Sequence, residues 1–108
     1  MLTKEEVRGV RAKIPQGGDR LALILEALGD PGRLRIFRLL MERHDLCVSD
    51  VSSVLGGTVS AASQQLRVLE RVGLVRRDRM GQMICYELRD DDPCVRSIAS
   101  FVGNYYEH

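Results

Sequence analysis

The sequence predicts a mainly α domain that carries one small β-hairpin, and three observations predict it. Apolar residues recur at helical spacing in most segments up to residue 73 and again after residue 92. Between them lie two short runs of strand character, 74–79 and 82–88, on either side of Met80-Gly81. Cap residues, prolines and glycines separate the segments. At 108 residues, with 44% apolar and 29% charged residues, the chain is expected to be one domain, 1–108, of ordinary globular composition.

Thr3 is placed to cap a first helix, with Glu6 as its capping-box partner. Val7, Val10 and Ile14 form a thin apolar stripe, and Pro15-Gln16-Gly17-Gly18 ends the segment. So thin a stripe makes a poor isolated helix but suits one packed on a partner chain. Asp19 is the expected cap of the next helix, which carries Leu21, Ile24, Leu25 and Leu28 to Gly29. Asp30-Pro31 is a strong start signal, because proline at the first helical position gives up an N–H that would be unpaired anyway. Leu34, Ile36, Phe37, Leu39, Leu40 and Met41 follow, nearly enough apolar surface for burial all round, so this is the expected central helix.

Leu46-Cys47-Val48 reads as a brief strand, and Ser49 or Asp50 as the start of a helix through Val51, Val54 and Leu55. Gly56-Gly57 closes that helix and leads to Thr58, the predicted cap of a helix that ends at Gly73. Its apolar face carries Val59, Ala62, Leu66 and Leu69, with Val72 at the margin. Ser60, Ser63, Gln64, Arg67 and Arg71 lie on or beside the opposite face. Two short helices joined by a tight glycine turn, the second with a polar face, form a helix-turn-helix pattern over 49–73. Small hydroxyls, amides and guanidiniums in that order can hydrogen-bond base edges and phosphates in a DNA major groove. The alternative for these residues is an ordinary solvated helix face.

The hairpin 74–88 then reads as a wing. Ile84, Tyr86 and Leu88 share one face of its second strand, and Met83, Cys85 and Glu87 share the other. Arg76, Arg77 and Arg79 suit phosphate contact, or alternatively a charged edge that blocks strand pairing. Asp92-Pro93 starts a last helix, 92–106, with Val95, Ile98, Phe101, Val102 and the pair Tyr105-Tyr106.

The net charge is only +1, so a nucleic-acid reading rests on where the charges lie. From 58 to 82, Arg67, Arg71, Arg76, Arg77 and Arg79 outweigh Glu70 and Asp78 by three. From 87 onward, Glu87, Asp90, Asp91, Asp92 and Glu107 outweigh Arg89 and Arg96 by three. This predicts a basic working surface and an acidic tail held away from it. No apolar run approaches the ~20 residues of a membrane span, and the N-terminus lacks the apolar core of a secretion signal. Three cysteines, an odd number, do not suggest a disulfide framework. The expected setting is the cytoplasm, with reduced thiols.

Leu28-Gly29-Asp30-Pro31-Gly32-Arg33-Leu34-Arg35-Ile36 resembles the "ALGDPTRLRIL" signature of the arsenical-repressor (ArsR/SmtB) family. Leu46-Cys47-Val48-Ser49-Asp50-Val51 is similar to that family's "LCVCDL" box, and Ala61–Leu66 through Leu74-Val75 to its "AVSHHLKVLREAGLV" run. The resemblance covers roughly residues 20–90, in register. It implies a winged helix-turn-helix homodimer that represses transcription from a near-palindromic double-stranded DNA operator. DNA contacts are then expected from Thr58, Ser60, Ala61, Ser63, Gln64, Gln65, Arg67, Arg71, Arg77, Arg79 and Gln82. The first and last helices (1–18 and 92–106) are expected to dimerise through Val7, Val10, Ile98, Phe101, Val102 and Tyr105.

The resemblance also implies release from DNA by a thiophilic metal or metalloid, or by thiol oxidation, with no cofactor required for the fold. The chain departs from the family's sensing patterns. Ser49 stands where the box has its second cysteine, the N-terminal arm has none, and the last helix offers only Asp91 or Asp92 and a terminal His108. In such folds the strand at 46–48 pairs with the second wing strand, which would make Cys47 and Cys85 neighbours, with Cys94 and His44 not far along the chain. These thiols are candidate metal or redox groups; the alternative is that each is a small buried hydrophobe. His44 and His108 read as loop and terminal residues. A regulator with no inducer site, or a winged-helix protein-interaction module without DNA binding, are the other readings. An enzyme is not expected: the sequence has no Ser/His/Asp set, no phosphate-cradling glycine loop and no paired acids in a pocket-forming context.

Overall fold

The computed structural model describes residues 1–107, and His108 lies outside the described residues. In chain order the elements are α1 (Lys4–Lys13), α2 (Arg20–Leu28), α3 (Pro31–Glu42), β1 (Leu46–Cys47), α4 (Val48–Leu55), α5 (Val59–Arg71), β2 (Val75–Met80), β3 (Met83–Leu88) and α6 (Pro93–Tyr106). The strands form one antiparallel sheet in the order β1-β3-β2. This is the expected mainly α architecture with a small β-wing.

Local chemistry sets most boundaries as expected. Thr3 and Glu6 form a reciprocal capping box on α1. Asp30 accepts from the Arg33 N–H at 3.0 Å, Thr58 from the Ala61 N–H at 3.0 Å, and Asp92 from the Cys94 N–H at 2.9 Å. Each cap satisfies an N–H that has no partner inside its helix. Gly56 and Gly57, with φ of +83° and +87°, make the turn between α4 and α5. Those angles strain any residue with a Cβ.

Four expectations are corrected. Helix α4 begins at Val48, before Ser49 and Asp50, because the Asp50 carboxylate accepts from the Cys47 N–H at 3.0 Å and makes Cys47 the cap. That leaves β1 only two residues. Asp19 precedes α2 but makes no capping bond through its side chain. The hairpin turn is Gly81-Gln82, not Met80-Gly81, since Met80 pairs with Met83 and the positive φ of the turn falls on Gly81. Helix α3 buries Ile36, Phe37 and Leu40 but is not enclosed all round: Arg35 is exposed, and the Arg38 guanidinium lies 3.5 Å from the centre of the Tyr106 ring.

The core joins α3 to every other element that positions the wing and α5. Ile24, Phe37, Leu40, Val51, Leu66, Leu69, Leu74 and Val95 are wholly buried, and Val75, Tyr86 and Leu88 bring the sheet's inner face onto them. Leu21 and Leu25, expected on the buried stripe of α2, are more than half exposed. They line an apolar groove with Leu28, Leu34, Ile98 and Phe101, where α2 and α6 meet. No residue of α1 is buried.

Candidate nucleic-acid interface

Helix α5 turns two faces outward and one inward. Ala62, Leu66 and Leu69 fix it to the core. Ser60, Ala61, Gln64, Arg67 and Arg71 are exposed, and Ser63 is half-buried. Val59, expected on the inner face, is 52% exposed. It stands one turn beyond the end of the core, so the helical pattern runs on where there is nothing left to pack against.

Gln65 does not share the outer face. Its Oε1 accepts from Arg33 Nη1 at 3.0 Å, and its Nε2 donates to Asp30 Oδ2 at 3.3 Å. Arg33 also donates through Nε to the Ala27 carbonyl at 2.7 Å. The expected base contact by Gln65 is therefore corrected: its amide is engaged between α3 and α5. Sequence spacing gave no sign of this, because the partners are more than thirty residues apart.

The wing arginines divide by strand register. Arg77 and Arg79 pair with Tyr86 and Ile84, on the face toward α5, while Arg76 pairs with Glu87 on the opposite face. Arg76 donates to Glu87 Oε1 at 2.6 Å and approaches Asp91 Oδ1 at 3.4 Å. The acidic tail is thus not held wholly away from the basic segment, as charge counting predicted; it neutralises Arg76. The Arg76 guanidinium holds the Glu87 carboxyl below its usual range, and Glu87 in turn raises that of nearby Asp45. Arg77 lies 3.6 Å from Glu70 and shares a shallow basin with Arg67 and Arg71. Arg79 donates to the Gly81 carbonyl at 3.2 Å, and Gln82 is exposed at the hairpin tip.

Between α5 and the sheet runs a groove of about 300 Å³, lined by Val59, Ser63, Arg67, Arg77 and Met83 among others. Tyr86 is buried beneath it, and burial raises its hydroxyl pKa, so a neutral phenol supports the groove. Thr58 is exposed while its oxygen caps the helix. Of the expected DNA-contact residues, all but Gln65 therefore lie at or beside one surface formed by α5 and the wing.

The cysteines separate. Cys47 and Cys85 are direct cross-strand partners and are joined as a disulfide, whereas a reduced pair was expected. Adjacency in an antiparallel register brings two Cβ atoms close enough for the bond, which an odd cysteine count conceals. Cys85 is buried despite its outward register, and Cys94 is a free thiol, half-buried in the first turn of α6. His44 is exposed. Among the described residues no group of three or more His, Cys, Asp or Glu side chains is placed to hold a metal ion. The residues present do not fit a metal centre of that size.

For the expected dimer surface, Val10, Phe101 and Tyr105 are exposed, Val7 and Ile98 are half-buried, and Val102 is only 7% exposed. Val102 is corrected to a core residue: it packs within its own chain. Among the described residues no helix is long and apolar enough to cross a membrane.

Residues 30–77 match the family model described as "Bacterial regulatory protein, arsR family". A transcriptional repressor SmtB homolog from a Synechocystis species is 36% identical over 89 residues, which covers 81% of this chain and 67% of that protein. The HTH-type transcriptional regulator NmtR from Mycobacterium tuberculosis is 43% identical over 75 residues, 69% of this chain and 62% of its own length. The chain thus spans about two thirds, or somewhat less, of these relatives. Among solved structures, HlyU from Vibrio cholerae superposes with a TM-score of 0.76 at 28% identity, over 86% of this chain and 98% of that one. Its α4–turn–α5 unit, its wing and these matches agree, and the chain belongs to the arsR family of bacterial regulatory proteins as a winged helix-turn-helix, DNA-binding transcriptional regulator.

Proposed function

We propose that the chain represses transcription as a homodimer seated on a near-palindromic operator. Helix α5 enters the major groove, Gln64 and Arg67 meet base edges, and Arg71, Arg77 and Arg79 meet phosphates. The observation that carries this reading is the gathering of Ser60, Ser63, Gln64, Arg67 and Arg77 on one polar surface braced by a wholly apolar core. An interaction module without DNA binding would favour an apolar patch there.

Two features support the dimer. The radius of gyration, 17.5 Å, exceeds the ~13 Å of a compact chain of this length, because α1 extends from the body with nothing buried. On the same chain the α2/α6 groove leaves Leu21, Leu25, Phe101 and Tyr105 exposed. Gel shifts on a selected duplex at stated salt concentrations test the reading, since phosphate-driven binding weakens steeply as salt rises. Gln64→Ala with Arg67→Ala is expected to abolish preference for that duplex while circular dichroism stays unchanged. Unaltered preference would overturn the assignment.

For control of binding, the Cys47–Cys85 pair favours thiol oxidation over a metal. Two thiols lose two electrons and two protons to form the S–S bond, and a peroxide takes them up to leave two waters. The bond would tie the wing strand β3 to the residue that caps α4. Oxidised and reduced samples are expected to differ in operator affinity, and Cys47→Ser or Cys85→Ser to erase the difference. Equal affinity of both wild-type samples would sink this reading.

A further inference from the structure

We infer that Val59 is a base-reading residue that contacts the 5-methyl group of a thymine in each half-site. The inference rests on the DNA-binding reading and extends it to a residue whose type gives no hint of it. Val59 is the first residue of α5, directly after the Thr58 cap, and 52% of it is exposed. At helical spacing it heads the row Val59–Ser63–Arg67, and all three line the groove between α5 and the sheet, with Arg77 across from them. An apolar side chain therefore leads a surface otherwise made of hydroxyl, amide and guanidinium groups.

A valine there cannot accept or donate a hydrogen bond. The base-pair feature of the major groove that an apolar side chain matches is the thymine methyl group. β-Branching restricts χ1, so the two valine methyls are already held in place and little freedom is lost on contact. Residues at the start of a recognition helix are also those that reach base edges in helix-turn-helix docking. Ser60 and Gln64 on the neighbouring row are exposed beside it and suited to the polar edges of adjacent pairs.

The test is thymine-to-deoxyuridine replacement, which removes the methyl group and keeps every hydrogen-bonding atom. The wild-type chain first selects its preferred duplex from a random pool, and each thymine of that duplex is then replaced singly. One position per half-site is expected to lose about fourfold in affinity, the effect of about one buried methyl group. Val59→Ser should bind the parent duplex about as weakly as wild type binds the substituted one, and should not respond to the replacement. Val59→Thr, which keeps one methyl, should fall between the two. Being exposed, the position tolerates both substitutions, and thermal melting checks this. A wild-type chain that ignores every replacement, or a Val59→Ser variant that keeps the same response, overturns the inference while leaving DNA binding intact. Failure to select any sequence overturns the DNA-reading proposal itself.

Discussion

Arg33 donates to Gln65 across 3.0 Å and so ties α3 to the middle of α5. The same Gln65 amide reaches Asp30, the carboxylate that caps α3. Three polar side chains thereby fix the pose of the helix whose outer face carries Gln64 and Arg67. Orientation of α5 depends on this strut as well as on Leu66 and Leu69, because apolar contacts resist separation of helices more than they resist rotation.

Gln65→Ala is expected to lower the unfolding free energy by about 1–2 kcal/mol, the range for losing hydrogen bonds to a charged, partly buried partner. Urea denaturation measures this. Affinity for the selected duplex should fall with no change in which bases are preferred. A variant of wild-type stability with altered preference at one base pair would return Gln65 to the reading surface.

The wing offers a paired comparison. Arg77 and Arg79 face the α5 side, whereas Arg76 is held by Glu87 and Asp91 on the other. Arg77→Ala should reduce the slope of log affinity against log salt by about one, as expected for a single lost phosphate contact. Arg76→Ala should leave that slope close to the wild-type value. Equal effects of the two substitutions would mean that register does not sort these arginines.

Phe101 and Tyr105 stay exposed at the α2/α6 groove, while Val102 beside them is buried. Phe101→Asp is expected to leave the fold intact and to convert the protein to monomer in sedimentation velocity. Val102→Asp should instead unfold it, since a charge would enter the core without a partner. A Phe101→Asp chain that sediments as wild type would count against dimerisation through α6.

The elements legible in the sequence were those in which caps and apolar period agree. Thr58, with Ala62, Leu66 and Leu69, defined α5 because cap chemistry and burial point to the same start. Val59, Leu21 and Leu25 show the limit: apolar residues at the right spacing lie outside the core where an element runs past its neighbours or faces a surface left open. Gln65 and Arg76 looked like solvent-facing polar residues, and long-range partners engaged them. The Cys47–Cys85 pairing became visible only through the β1–β3 register, which two short strands do not announce.

The last prediction concerns pH. Arg20 donates to Asp92 at 2.8 Å and to the Gly73 carbonyl at 3.3 Å, joining the end of α5 to the start of α6. The Arg20 hydrogen bond, aided by the Cys94 N–H, holds the Asp92 carboxyl below its ordinary value. A group depressed in the folded state stabilises fully above its unfolded pKa, about 3.9, and loses that contribution as pH falls through the folded value. Asp92→Asn keeps a side chain able to cap α6 but removes the ion pair. It should therefore melt below wild type at pH 7, and the difference should shrink steadily between pH 5 and pH 2. Arg20→Ala should follow the same course and should add little to Asp92→Asn in the double variant, because both remove one interaction. A constant gap across the acidic range would show that Asp92 acts through its cap alone, with α5 and α6 coupled by packing.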